Sequence, residues 1–118
     1  MAYKFEQLKV WIEARLFIKE IYRVVNKFPR KEQFILVDQI KRASISIALN
    51  IAEGSDKKSD KDFIRYLRMS IGSINEVITA LYIALDLGYI KSNDFNKLYE
   101  LSHKLTAMIN ALIRKIYV

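Results

Sequence analysis

Between Ser59 and Leu87 the apolar residues Ile64, Leu67, Ile71, Ile74, Ile78, Leu81 and Leu85 recur in alternating steps of three and four. A strand turns its side chains over every second residue, so only a helix gathers this set onto one stripe. A stripe of that length is covered only when other helices pack along it. Partners with matching stripes lie in the same chain: Trp11, Ala14, Ile18, Ile21, Val25 and Phe28 before it, and Leu98, Leu101, Leu105, Met108 and Leu112 after it. The stretch from Leu36 to Gly54 is apolar round most of its circumference, with Ile40, Ala43, Ile45, Ile47, Ala48, Leu49, Ile51 and Ala52.

Punctuation residues divide these segments. The chain holds three Gly and one Pro, and three of these four stand where helices should stop. Pro29 forces Phe28 out of the helical region, while Gly54 and Gly88 suit left-handed caps after the second and third helices. Ser59, with Asp62 three residues on, and Ser92 read as N-caps. Helices are predicted near 7–28, 32–53, 59–87 and 93–117. Connections so short set consecutive helices antiparallel, which makes the expected fold all-α: a single-domain, up-down-up-down four-helix bundle over 1–118.

A chain of 118 residues that is 52% hydrophobic has enough apolar surface for one core. Without Cys, and with His103 as its single histidine, it has no disulfide framework and no cluster of soft metal ligands. A reducing, cytoplasmic setting is expected. Lys4, Glu6 and Lys9 interrupt the apolar residues of the N-terminal segment, and no run approaches the roughly 20 apolar residues of a membrane span, so a soluble protein is expected. Glu53, Asp62, Glu76 and His103 lack metal-ligand spacing, a Gly-rich phosphate loop or a nucleophile paired with a base. Neither catalysis nor a cofactor is expected, and His103 reads as a surface residue.

Apolar residues also lie outside the stripes. Tyr66, Val77, Tyr82 and Ile83 on the third helix, and Tyr99, Ile109, Ile113 and Ile116 on the fourth, widen the apolar faces and predict self-association. The second helix carries a polar line, Arg42, Ser46, Asn50 and Glu53, spaced four, four and three. Burial of that line would require partners, because an unpaired buried polar group costs about 1–3 kcal/mol. Ser73 and Glu76 are the candidates, with Ser70, Gly72 and Ser73 as a small-residue strip permitting close approach. The expectation is a buried Arg42–Glu76 ion pair, with Asn50 and Glu53 satisfying backbone or subunit-interface groups; the alternative is that Arg42 and Glu53 are solvated at a rim.

Twenty Lys plus Arg oppose thirteen Asp plus Glu, a net charge of +7 and a pI near 9.6. Arg15, Lys19, Arg23 and Lys27 recur every fourth residue and continue into Arg30 and Lys31. A second cluster comprises Lys57, Lys58, Lys61, Arg65 and Arg68, and Arg114 and Lys115 lie near the C-terminus. Such patches engage phosphates by counterion release with little sequence selectivity, which makes RNA or DNA a candidate partner. The same residues read otherwise as solvated helix faces, with Glu13, Glu20, Asp60 and Asp62 interleaved. A protein-interaction scaffold without nucleic-acid binding, docking a protein partner through the tyrosine-bearing faces, is the alternative.

Three blocks carry a resemblance: Phe5-Glu6-Gln7-Leu8-Lys9-Val10-Trp11, Arg42-Ala43-Ser44-Ile45-Ser46-Ile47 leading into Asn50-Ile51-Ala52-Glu53-Gly54, and Phe63-Ile64-Arg65-Tyr66-Leu67 followed by Gly72-Ser73 and Glu76. Together they resemble the four-helix-bundle proteins encoded within intervening sequences of bacterial 23S ribosomal RNA. Many relatives of that pattern carry Pro where this chain has Ala48, which predicts a straighter second helix. The resemblance implies a homopentameric ring without enzymatic activity. It also implies a fold similar to the accessory variability determinant of diversity-generating retroelements, a basic pentamer that binds nucleic acid and a reverse transcriptase. In such a ring Asn50 and Glu53 would serve subunit contacts.

Overall fold

A computed structural model of the chain describes residues 2–117. Four helices carry the fold: α1 (Lys9–Val25), α2 (Leu36–Ser55), α3 (Asp60–Asp86) and α4 (Ser92–Tyr117), with short 3-10 turns at Lys4–Gln7 and Arg30–Glu32. No strand occurs among the described residues.

Cross-helix contacts establish the topology. Ser46 meets Ser73 and the earlier Gln39 meets the later Glu76, so α2 and α3 run antiparallel. Glu13, Glu20 and Lys27 of α1 and the loop after it meet Lys104, Lys97 and Asp94 of α4 in descending order. Tyr82 packs on Phe95 while the earlier Arg68 lies over the later Tyr117, which makes α3 and α4 antiparallel as well. Each helix touches its two neighbours and none its diagonal partner, α2 and α3 being the most extensively paired. The result is the expected antiparallel four-helix bundle, 44 Å long and 22 Å across.

The core is a column of branched aliphatics around Phe17. Ile21, Ile40, Ile47, Ile51, Leu67, Ile74, Leu81, Leu98, Leu105 and Ile109 are all fully buried, each contributing about 1.5–3 kcal/mol by leaving water. Val77, Ile109 and Ile113, expected as surplus apolar surface, belong to this core. A helix in a cyclic bundle faces two neighbours rather than one, so its buried sector is wider than a two-helix seam. Tyr82, Ile83 and Tyr99 do remain exposed.

The end of α1 and the start of α2 differ most from expectation. α1 ends at Val25, because the N–H groups of Lys27 and Phe28 tighten onto the carbonyls of Val24 and Val25 at 3.0 Å. Phe28 nevertheless stays in the core. α2 starts at Leu36, since the residues after Pro29 form their own 3-10 turn and Ile35 takes a non-helical conformation. From there α2 is continuous through Ala48. Ser59 caps α3 as expected, its hydroxyl accepting the Asp62 N–H at 3.1 Å. α4 begins at Ser92 itself, and Asn93 Oδ1 accepts the Asp94 N–H at 3.0 Å.

The glycines divide by role. Gly88 has φ +76° and ends α3 as a left-handed cap. Gly54 does not: it lies inside α2, where a Cβ would come within 2.6 Å of Tyr66 Cβ and 3.1 Å of the Phe63 ring. Its missing side chain lets α2 approach α3. Gly72, expected to share that work, faces open space, and the contact is made by Ser70 and Ser73 instead.

Candidate nucleic-acid interface

The basic stripe of α1 does not act as one surface. Arg23 and Lys27 converge on Asp94 of α4, with Nη2–Oδ1 at 3.4 Å and Nζ–Oδ2 at 3.3 Å, and Arg23 Nε also reaches Glu20 Oε1 at 3.3 Å. Glu20 takes Lys97 of α4 at 2.6 Å, and Glu13 takes Lys104 at 3.2 Å. These residues form a clasp along the α1/α4 groove. The hydrogen bond from Lys97 chiefly holds the Glu20 carboxyl below the usual range, with Arg23 assisting. Partial burial pushes Asp94 upward, but Lys27 and Arg23 outweigh it and leave its pKa lowered. At the upper part of the stripe Arg15 stacks over Trp11 at 4.9 Å, and beyond it Lys31 lies 5.9 Å from the Tyr89 ring centroid. Lys19 and Arg30 are exposed and pair with no described carboxylate.

The second cluster is built differently. The α2–α3 connection and first turns of α3 bring Lys57, Lys58, Lys61, Arg65 and Arg68 to the end of the bundle where α4 finishes. Lys57 pairs with Glu53 at 3.2 Å and Arg65 with Asp62 at 3.7 Å, and the two cations share the Tyr66 ring at 5.2 and 4.6 Å. The bond to Glu53 is the main reason the Lys57 pKa is raised. Lys58, Lys61 and Arg68, with Arg114 and Lys115 of the last turn of α4, pair with no described carboxylate. Beside them a cleft of about 590 Å³ is lined by Lys61, Arg65, Arg68, Ile64, Ile116 and Tyr117, and by the carboxylates of Asp60 and Asp62.

The polar line of α2 lies at the α2/α3 groove with partners other than those expected. Arg42 is 78% exposed and binds Asp38 at 2.9 Å, one turn earlier on its own helix. Glu76 accepts a hydrogen bond from Gln39 instead. The expected Arg42–Glu76 pair is therefore absent, because Arg42 extends into solvent and is held by Asp38 on its own helix. Ser46 and Ser73 share a hydrogen bond of 2.7 Å, Asn50 donates to Ser46 carbonyl at 2.9 Å, and buried Ser70 donates to Ile47 carbonyl at 2.9 Å. Hydroxyls and one amide thus satisfy one another where ions were expected, and no buried side-chain polar atom lacks a partner among the described residues.

Cross-helix acids were the hidden half of the charge pattern. Asp94 lies far in sequence from Arg23 and Lys27, and only an i, i+3 signal, Glu20 to Arg23, was visible locally. Tyr117 as the neighbour of Arg68 carried no local signal at all. His103 is exposed, and among the described residues no group of three or more His, Asp or Glu side chains gathers as a metal site would. Among the described residues no helix is long and apolar enough to cross a membrane.

A cyclic antiparallel four-helix bundle with a net charge of +7 describes the class of protein. The family described as 23S rRNA-intervening sequence protein matches residues 6–111, and the chain belongs to that family. Among solved structures it is similar to a protein of unknown function from the S23 ribosomal protein family of Bacteroides thetaiotaomicron, with 24% identity and a TM-score of 0.78 over 88% of this chain and 97% of that one. That likeness concerns the fold. Nothing matches among curated proteins.

Proposed function

We propose that this protein is a non-enzymatic, cytoplasmic, self-associating bundle that binds nucleic acid through the cationic corner where α3 begins and α4 ends. The observation that supports it is the asymmetry in charge pairing. Carboxylates of α1 and α4 engage Arg23 and Lys27, whereas Lys58, Lys61, Arg68, Arg114 and Lys115 form no ion pair with a described carboxylate, although Asp60 and Asp62 line the cleft with Lys61 and Arg68. Unpaired cations clustered on rigid helix ends release counterions when they meet phosphates, without requiring a base-specific contact. Arg15, Lys19, Arg30 and Lys31 extend the positive surface elsewhere, and Arg65 contributes through its exposed guanidinium.

Self-association rests on exposed apolar side chains. Ile45, Leu49 and Met69 lie on the outer faces of the tightly paired α2 and α3, with Leu49 62% exposed. A homopentamer is the assembly the family resemblance suggests, and it would repeat the cationic corner round a ring. The test is fluorescence anisotropy with labelled RNA and DNA in about 50 mM salt, where electrostatic binding is strongest. Binding lost in Lys61→Glu/Arg68→Glu is the expected result, and no binding to either polymer would refute the reading. A protein-docking role has its own specific observation: Phe34 is 85% exposed, beside exposed Ile35, in the α1–α2 connection. Capture of a protein that survives nuclease and high salt, and is lost in Phe34→Ser, would favour that role.

A further inference from the structure

The cleft between the entry of α3 and the exit of α4 combines features that a phosphate patch alone does not need. Its lining includes the apolar Ile64 and Ile116 and the exposed aromatic ring of Tyr117. Tyr117 is 68% exposed, and Arg68 sits 5.9 Å from its ring centroid. A guanidinium over one face of a ring that is otherwise exposed gives one position both a stacking surface, on the opposite face, and a phosphate contact. Lys61, one turn before Arg65 and two before Arg68 on the same side of α3, supplies a second cation along the cleft.

We infer that this cleft seats an unpaired nucleotide strand, with Tyr117 as the platform for a base and Lys61 and Arg68 as contacts for the phosphates on either side. The inference rests on the nucleic-acid reading above and adds the class of polymer. A duplex offers phosphates but keeps its base faces stacked on one another, so an aromatic ring in the cleft gains nothing from it. A single strand presents each base face to a ring regardless of sequence. The volume of about 590 Å³ falls within the range of sites that enclose a small organic group. Asp60 and Asp62 line the cleft as well, so the start of α3 itself repels phosphate. That directs the strand across Lys61 and Arg68 rather than onto the helix N-terminus.

Anisotropy titrations with the full chain distinguish base stacking from charge alone. The probes are labelled single strands of thymidine or uridine of about 12 nucleotides, a duplex of equal length, and an abasic deoxyribose-phosphate strand. The expected result is tighter binding of single strand than of duplex or abasic strand. Tyr117→Ala should weaken single-strand binding about tenfold with an unchanged salt slope, and Tyr117→Phe should restore it. Circular dichroism of each variant checks the fold. Equal affinity for the abasic and base-bearing strands, or no loss in Tyr117→Ala while Lys61→Glu/Arg68→Glu abolishes binding, overturns the stacking site and leaves the electrostatic reading standing. Failure of the unaltered protein to bind any probe overturns both.

Discussion

Gly54 and Gly72 show how one residue type acquires opposite meanings. A methyl at position 54 collides with Tyr66 Cβ, whereas at position 72 it meets nothing within 4 Å. Gly54→Ala should therefore destabilise by about 1–3 kcal/mol through overpacking. Gly72→Ala, in the exposed interior of a helix, should stabilise by up to about 1 kcal/mol. Urea denaturation of the two variants measures both, and a neutral Gly54→Ala would contradict the close approach of α2 and α3. Sequence reading identified Gly88 correctly but gave Gly54 the same capping role. Both follow a helical run; only the neighbour across the groove separates them. Arg42 carries the parallel lesson for charge. Because it binds Asp38 in solvent, Arg42→Ala should change stability by no more than about 0.5 kcal/mol. A large loss in the same denaturation series would restore the buried pair that the spacing suggested.

At the scale of elements, α1 and α4 are joined on the outside by ions and on the inside by aliphatics. Asp94 and Glu20 both have lowered pKa values in the folded bundle. A carboxyl whose folded pKa lies below its unfolded one contributes stability that is present above the unfolded value, and that stability is lost as pH falls through the folded value. Stability should accordingly decline in acid below about pH 4, the ordinary carboxylate range. Asp94→Asn should cost about 0.5–1 kcal/mol near pH 7, as partly exposed ion pairs do. Its Tm should approach that of the unaltered protein as pH falls through the lowered pKa of Asp94, below which the carboxyl is protonated in both states. A difference in Tm that persists undiminished in acid would assign Asp94 a packing role instead. The helices themselves were legible because their period is a local property. Their ends were less so: at Phe28 and Ile35 the tight turn after Val25 and the 3-10 turn after Pro29 compete with helix continuation on equal local terms.

For the whole molecule, charge and apolar surface predict how it meets partners. If the five cations of the corner each displace a counterion, affinity for nucleic acid should fall about 10²- to 10³-fold between about 50 and 200 mM salt. Anisotropy at a series of salt concentrations gives the slope, and a flat dependence would sink the counterion mechanism. Light scattering at about micromolar concentration reads the assembly: a Leu49→Lys/Met69→Lys variant should shift toward monomer if the outer α2/α3 face is the contact between copies, since charge at an apolar contact is desolvated without a partner. The unaltered protein weighing as a monomer would remove the ring. The sequence alone determined that this chain makes four antiparallel helices around one aliphatic core, because the three-and-four spacing of residues such as Ile64, Leu67 and Ile74 admits no other way of leaving water. Only the tertiary structure decided which cations are spoken for. Asp94 reaches Arg23 and Lys27, and Tyr117 reaches Arg68, across grooves between helices far apart in sequence, and the energy of a charge depends on what stands within a few ångströms of it rather than on its neighbours along the chain.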